Sequence, residues 1–144
     1  MTLDDYTYHP PTDVTRPRYA AIRAVAAEAQ GTIEQALRGF FGFGTPDAYG
    51  AISDACRRLH RVIATMAPVS ADRAAAERCC RLARMAANEA VTTTNPADLA
   101  RRLTRCLDEI DAARWQACAA IALAPEESLP PMPNPPPPRA GDDL

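Results

Sequence analysis

Residues 68–91, PVSADRAAAERCCRLARMAANEAV, leave the middle of the chain little choice but helix. Ser70 is placed to be an N-cap, because its hydroxyl can accept from a first-turn N–H that has no partner within the helix. Asp72 sets negative charge near the positive end of the helix dipole. Ala75, Cys79, Leu82, Ala86 and Ala90 recur at three- and four-residue steps, so the apolar stripe is built of small side chains and lets another helix approach closely. Arg73, Arg78, Arg81, Arg84, Glu77 and Glu89 take the other faces, a solvated surface by default.

Three more helices flank this one. The first is expected from Pro17 to Leu37, with Ile22, Val25, Ala29, Ile33, Ala36 and Leu37 on one face and Gly31 weakening its middle. Arg16, Arg18 and Arg23 gather at its start, where cations oppose the dipole, a placement that points mildly to an anionic partner. The segment GFFGFGTP, residues 39–46, breaks the chain and holds all three Phe residues, suited to plug a bundle end or fill an interface. Thr45 and Pro46 then open a second helix with Tyr49, Ile52, Cys56, Leu59, Ile63 and Met66 in register. After fraying through Val91–Thr94, Asn95 and Pro96 open a fourth, expected to reach Ala124, with Leu99, Leu103, Cys106, Ile110, Ala113, Ala117 and Ile121 as its stripe. Such a helix outruns its neighbours, which makes Trp115 and Leu123 candidate oligomer contacts.

The expected fold is therefore all-α, about four helices in an antiparallel bundle over residues 17–124. MTLDDYTYHPPTDVTR, residues 1–16, is expected to be an extended arm, because Pro10 and Pro11 disfavour helix at and before them. Tyr6, Tyr8 and His9 could pack on the domain or present a flat ring to a ligand. From Pro125 the composition turns to EESLPPMPNPPPPRAGDDL, expected to be a disordered, polyproline-prone tail over 125–144.

The formal charge of −2 gives no general attraction for DNA or an anionic membrane, so anion binding must come from a local cluster. All 16 basic residues are Arg. No side-chain amine can form a Schiff base, while planar forks suited to phosphate are plentiful. No apolar run approaches a membrane span and no leader pattern opens the chain, which predicts a cytoplasmic protein. The five cysteines, Cys56, Cys79, Cys80, Cys106 and Cys118, show no CxxC spacing and read as small apolar residues. His9 and His60 stand too far apart in sequence to suggest zinc. No metal, cofactor or catalytic spacing is recognisable, so a non-catalytic helical binding protein is expected.

Two segments together resemble a known family. YTYHPPTDVTRPRYAAIRAVAAEA followed by APVSADRAAAERCCRLARMAANEAV is similar to the small phage anti-CBASS proteins that sequester cyclic oligonucleotide signals. In that family an aromatic-Pro arm precedes a helix that opens on Tyr-x-x-Ile-Arg, matched by Tyr19, Ile22 and Arg23. A Pro-x-Ser turn opens another helix ending in Met-Trp-Ala-Asn, matched by Pro68, Ser70, Asp72, Arg73, Met85, Ala87 and Asn88. The family's Trp is Ala86 here, its basic residue after the Ser is Ala71, and residues 39–67 insert a loop and a helix.

The resemblance implies a homo-oligomer of hexamer-like form that holds cyclic di- or trinucleotides between subunits without cleaving them, in the host cytoplasm if phage-encoded. It implies Tyr8 as a stacking ring, Arg18 and Arg23 on one phosphate, and Arg73, Arg84 and Asn88 at a second site. The competing expectation is a helical adaptor or phage structural protein whose Phe loop and fourth helix bind another protein.

Overall fold

The turn before the first helix already departs from an extended arm. Thr12 and Thr15 cap one another: the Thr15 N–H donates to the Thr12 hydroxyl at 3.2 Å and the Thr12 N–H donates to the Thr15 hydroxyl at 2.9 Å. This reciprocal pairing satisfies donors that a helix start leaves open, so residues 12–15 form a capping turn and not extended chain. The computed structural model describes residues 11–38 and 46–133. Tyr6, Tyr8 and His9, the three Phe residues with Thr45, and residues 134–144 lie outside the described residues.

Four helices make up the described chain: α1 Arg16–Arg38, α2 Pro46–Met66, α3 Ala71–Val91 and α4 Pro96–Ala122, with no strand among the described residues. The caps follow the expected chemistry. The Ser70 side chain accepts from the Arg73 N–H at 3.1 Å, and Asn95 Oδ1 accepts from the Ala97 and Asp98 N–H groups. The links 67–70 and 92–95 are short, which makes consecutive helices antiparallel neighbours. α1 packs on α2, α2 on α3, α3 on α4 and α4 back on α1, closing a four-helix ring.

The core runs along the axis of this ring. Every expected residue of the α2 stripe is buried, from Tyr49 to Met66. α1 contributes Ile22, Ala26, Ala29, Ile33 and Ala36, and α4 contributes Leu103, Cys106, Ile110, Ala113, Ala117, Ala120 and Ile121. In α3, Ala86 and Ala90 are buried as expected, but the first part of the stripe is displaced by one residue: Ala76, Cys80 and Ala83 are buried, with Ala87 further on, while Ala75, Cys79 and Leu82 are only partly covered. α3 lies between α2 and α4, and the small side chains face both. The approach is close enough for the Cys106 thiol of α4 to donate to the Ala83 backbone carbonyl of α3, 3.2 Å away.

Two expectations about the end of the chain are corrected. α4 stops at Ala122, and its last turn does not project free but faces Thr12, Thr15 and Tyr19. Residues 125–133 are not a detached tail. A 3-10 turn over Glu126–Ser128 folds back on the bundle, Leu129 packs against the core, and the Pro130 carbonyl accepts from Arg18. The helical body therefore extends past residue 124, because one leucine and one carbonyl find partners that the average composition of the segment concealed.

Candidate functional site

Of the six residues singled out from sequence, five are described: Arg18 and Arg23 on α1, and Arg73, Arg84 and Asn88 on α3. Tyr8 lies outside the described residues. Arg18 is 3% exposed. Its guanidinium donates to the carbonyls of Val14 (3.2 Å), Met66 (2.9 Å) and Pro130, so it serves the fold. The antiparallel arrangement explains its position: the start of α1 sits beside the end of α2, where carbonyls lacking helical partners attract a cation. Arg23 is exposed one and a half turns further on and does not share a ligand position with Arg18.

Arg73 is also engaged. Its Nε donates to Glu77 Oε1 at 3.1 Å and its Nη1 to the Ala67 carbonyl at 3.2 Å, while His60 Nε2 of α2 lies 2.8 Å from Glu77 Oε2. Arg84 lies three turns beyond Arg73, about 16 Å along the helix. It is half-buried beside Cys56 of α2, whereas Asn88, one turn later, is exposed.

The Glu77 cluster gives a pH test. Burial pushes the carboxyl up, but hydrogen bonds from His60 and Arg73, with their charges, outweigh it and hold Glu77 below the ordinary carboxylate range. A depressed folded-state value means stability that is fully present above the unfolded value of about 4.3 and lost as pH falls through the lower folded value. Urea denaturation should find Glu77→Gln less stable than wild type by about 2 kcal/mol at pH 7. The gap should begin to narrow only below about pH 4 and close once the pH is below the depressed folded value. A gap that does not change with pH would exclude the ionised carboxylate as its source.

The groove between α1 and α4 brings chemistry together instead. Tyr19 and Arg23 stand one turn apart on α1. Arg114, Trp115 and Cys118 face them from α4, around a cavity of about 240 Å³. Trp115 is 50% exposed, and the Arg114 guanidinium carbon sits 5.5 Å from its ring centroid, within cation–π range. Arg114 Nη2 donates to Asp111 at 2.7 Å, yet its buried Nε has no hydrogen-bond partner. Arg23 donates from Nε to the Tyr19 carbonyl at 3.4 Å and has no carboxylate within ion-pair distance among the described residues.

The protonation states suit recognition of an anion. Burial raises the Cys118 thiol, and the nearby Arg23 and Arg114 charges do not overcome it, so the sulfur stays protonated at neutral pH. Tyr19 is raised by burial and by Cys118 against the pull of Arg23, and keeps its phenolic proton. The core thiols are further from reactivity still: burial pushes Cys56 to about 11 and Cys80 and Cys106 to about 12. No cysteine among the described residues is disulfide-bonded, and no cluster of three metal-ligating side chains forms among them.

No family model, curated protein or solved structure matches the chain. The groove's meaning therefore rests on its own residues. Sequence reasoning reached Tyr19 and Arg23 but not Arg114, and it placed Trp115 at a subunit contact. The available signal was the adjacency of Arg114 and Trp115 three residues before Cys118, on the flank of the α4 stripe.

Proposed function

We propose that the protein binds an anionic ligand carrying a planar ring and sequesters it without chemical change. The observation that carries this reading is the α1–α4 groove. It sets two guanidinium groups beside a half-exposed indole and a phenol. Arg forks form charge-assisted bonds to phosphodiester oxygens, and an indole face stacks on a nucleobase whatever its sequence.

Cyclic di- or trinucleotides are the class that the resemblance of residues 6–29 and 67–91 implies, and they combine the ring and the anion. The volume of about 240 Å³ falls below that of pockets enclosing a drug-sized ligand, about 300–1,000 Å³. The groove thus takes one base with its phosphate, and the remainder of a cyclic ligand extends beyond it.

A protein-binding role is the second reading. Val69 and Leu123 are exposed beside one another at the end of the bundle where α3 begins and α4 finishes. Exposed apolar side chains that lie together mark contact surfaces.

Trp115 is the only tryptophan in the chain, so its emission reports the groove directly. Titration with a panel of cyclic di- and trinucleotides should change that emission with submicromolar affinity, and ligand released by heat should be recovered intact on chromatography. Hydrolysed ligand would make the protein an enzyme, and no response across the panel would leave the adaptor reading.

A further inference from the structure

Arg18 lies outside the groove, yet it is held under unusual conditions. It is almost fully buried, burial lowers its pKa, and no carboxylate lies within ion-pair distance among the described residues. Its charge is balanced only by carbonyl dipoles from three segments: Val14 before α1, Met66 at the end of α2, and Pro130 after α4. The first two belong to helix ends fixed by the bundle. The third belongs to a segment that can leave without breaking a helix.

That segment has one 3-10 turn, one partly buried apolar anchor in Leu129, and prolines that offer no N–H to a neighbour. Pro125 (φ −61°, ψ 141°) and Leu129 (φ −71°, ψ 140°) have polyproline geometry, which needs no internal hydrogen bonds. Its root, Leu123–Glu126, walls a cavity of about 540 Å³ whose opposite side is Thr12, Thr15 and Tyr19. Tyr19 also lines the groove.

We propose that residues 125–133 are a clasp, fastened by Arg18 through the Pro130 carbonyl, whose seating controls access from the groove to the cavity beyond Tyr19. With the clasp seated, the groove ends at Tyr19 and admits one nucleotide unit. With the clasp lifted, groove and cavity join and a larger ligand is accommodated. The statement about ligand size rests on the groove being the binding site, whereas the clasp itself does not.

Hydrogen exchange on the full chain tests the clasp without any ligand. The Ser128 and Leu129 amides donate to the Pro125 and Glu126 carbonyls. In wild type they should exchange at least about tenfold more slowly than in an unstructured peptide. Leu129→Glu and Arg18→Met should each restore the unprotected rate while the centre of α4 stays protected. If Arg18→Met does not fold, Leu129→Glu decides alone. Unprotected amides in wild type, or protection surviving Leu129→Glu, would overturn the clasp.

The gating is read by titrating cyclic di-GMP and following Trp115 emission. Leu129→Glu should bind it about tenfold more tightly, because opening is no longer drawn from the binding energy. Equal affinities would remove the gating. Absence of binding in both proteins would instead count against the functional reading, with exchange still judging the clasp.

Discussion

Ala83→Leu should lower the stability of the bundle by about 3 kcal/mol, seen as an earlier midpoint in urea denaturation with an unchanged slope. Ala83 is wholly buried, and its carbonyl lies 3.2 Å from the Cys106 sulfur on the facing helix. There is no room for three more carbons unless α3 and α4 separate, and separation uncovers the Ala76, Ala87 and Ala90 contacts as well. Ala74→Leu, on the exposed side of the same helix, should stay within about 0.5 kcal/mol of wild type. An Ala83→Leu protein as stable as wild type would mean that these two helices pack more loosely than the thiol–carbonyl contact requires.

The combined substitution Arg23→Ala, Trp115→Ala should weaken cyclic dinucleotide binding by about 100-fold or more. A stacked ring contributes about 1–3 kcal/mol and a charge-assisted hydrogen bond a similar amount. Because removing Trp115 removes its fluorescence, isothermal titration is the appropriate measurement. Both residues are exposed, so thermal unfolding should be little altered. Arg73→Ala provides the contrast. Its guanidinium already holds Glu77 and the Ala67 carbonyl, so it should lose stability with little change in affinity. Loss of binding in Arg73→Ala with none in the Arg23, Trp115 variant would move the site to α3.

The four helices were legible because helix ends and stripes are local. Ser70, Asn95 and Pro96 mark their own positions, and the α2 stripe alternates bulky apolar residues with charged ones, so all six expected residues are buried. α3 lacks that contrast. Where Ala75 adjoins Ala76 and Cys79 adjoins Cys80, the larger Leu82 draws the stripe towards itself. The helix nevertheless buries Ala83, because the close approach of α4 favours the smaller side chain.

The groove was half legible. Tyr19 and Arg23 stand one turn apart on a helix surface, and Arg114 adjoins Trp115, but that the pairs meet depends on α4 closing against α1, a contact between distant parts of the chain. Arg18 escaped for a related reason. Its charge argues for the surface until antiparallel packing supplies the Met66 carbonyl and the returning chain supplies that of Pro130.

The three bonds made by Arg18 also have a mechanical consequence. The same guanidinium grips Val14, just ahead of the first helix, and Pro130, just past the last. Both ends of the helical body are thus tied at one point, and a load drawn between them falls on this single side chain before any interface between helices bears it.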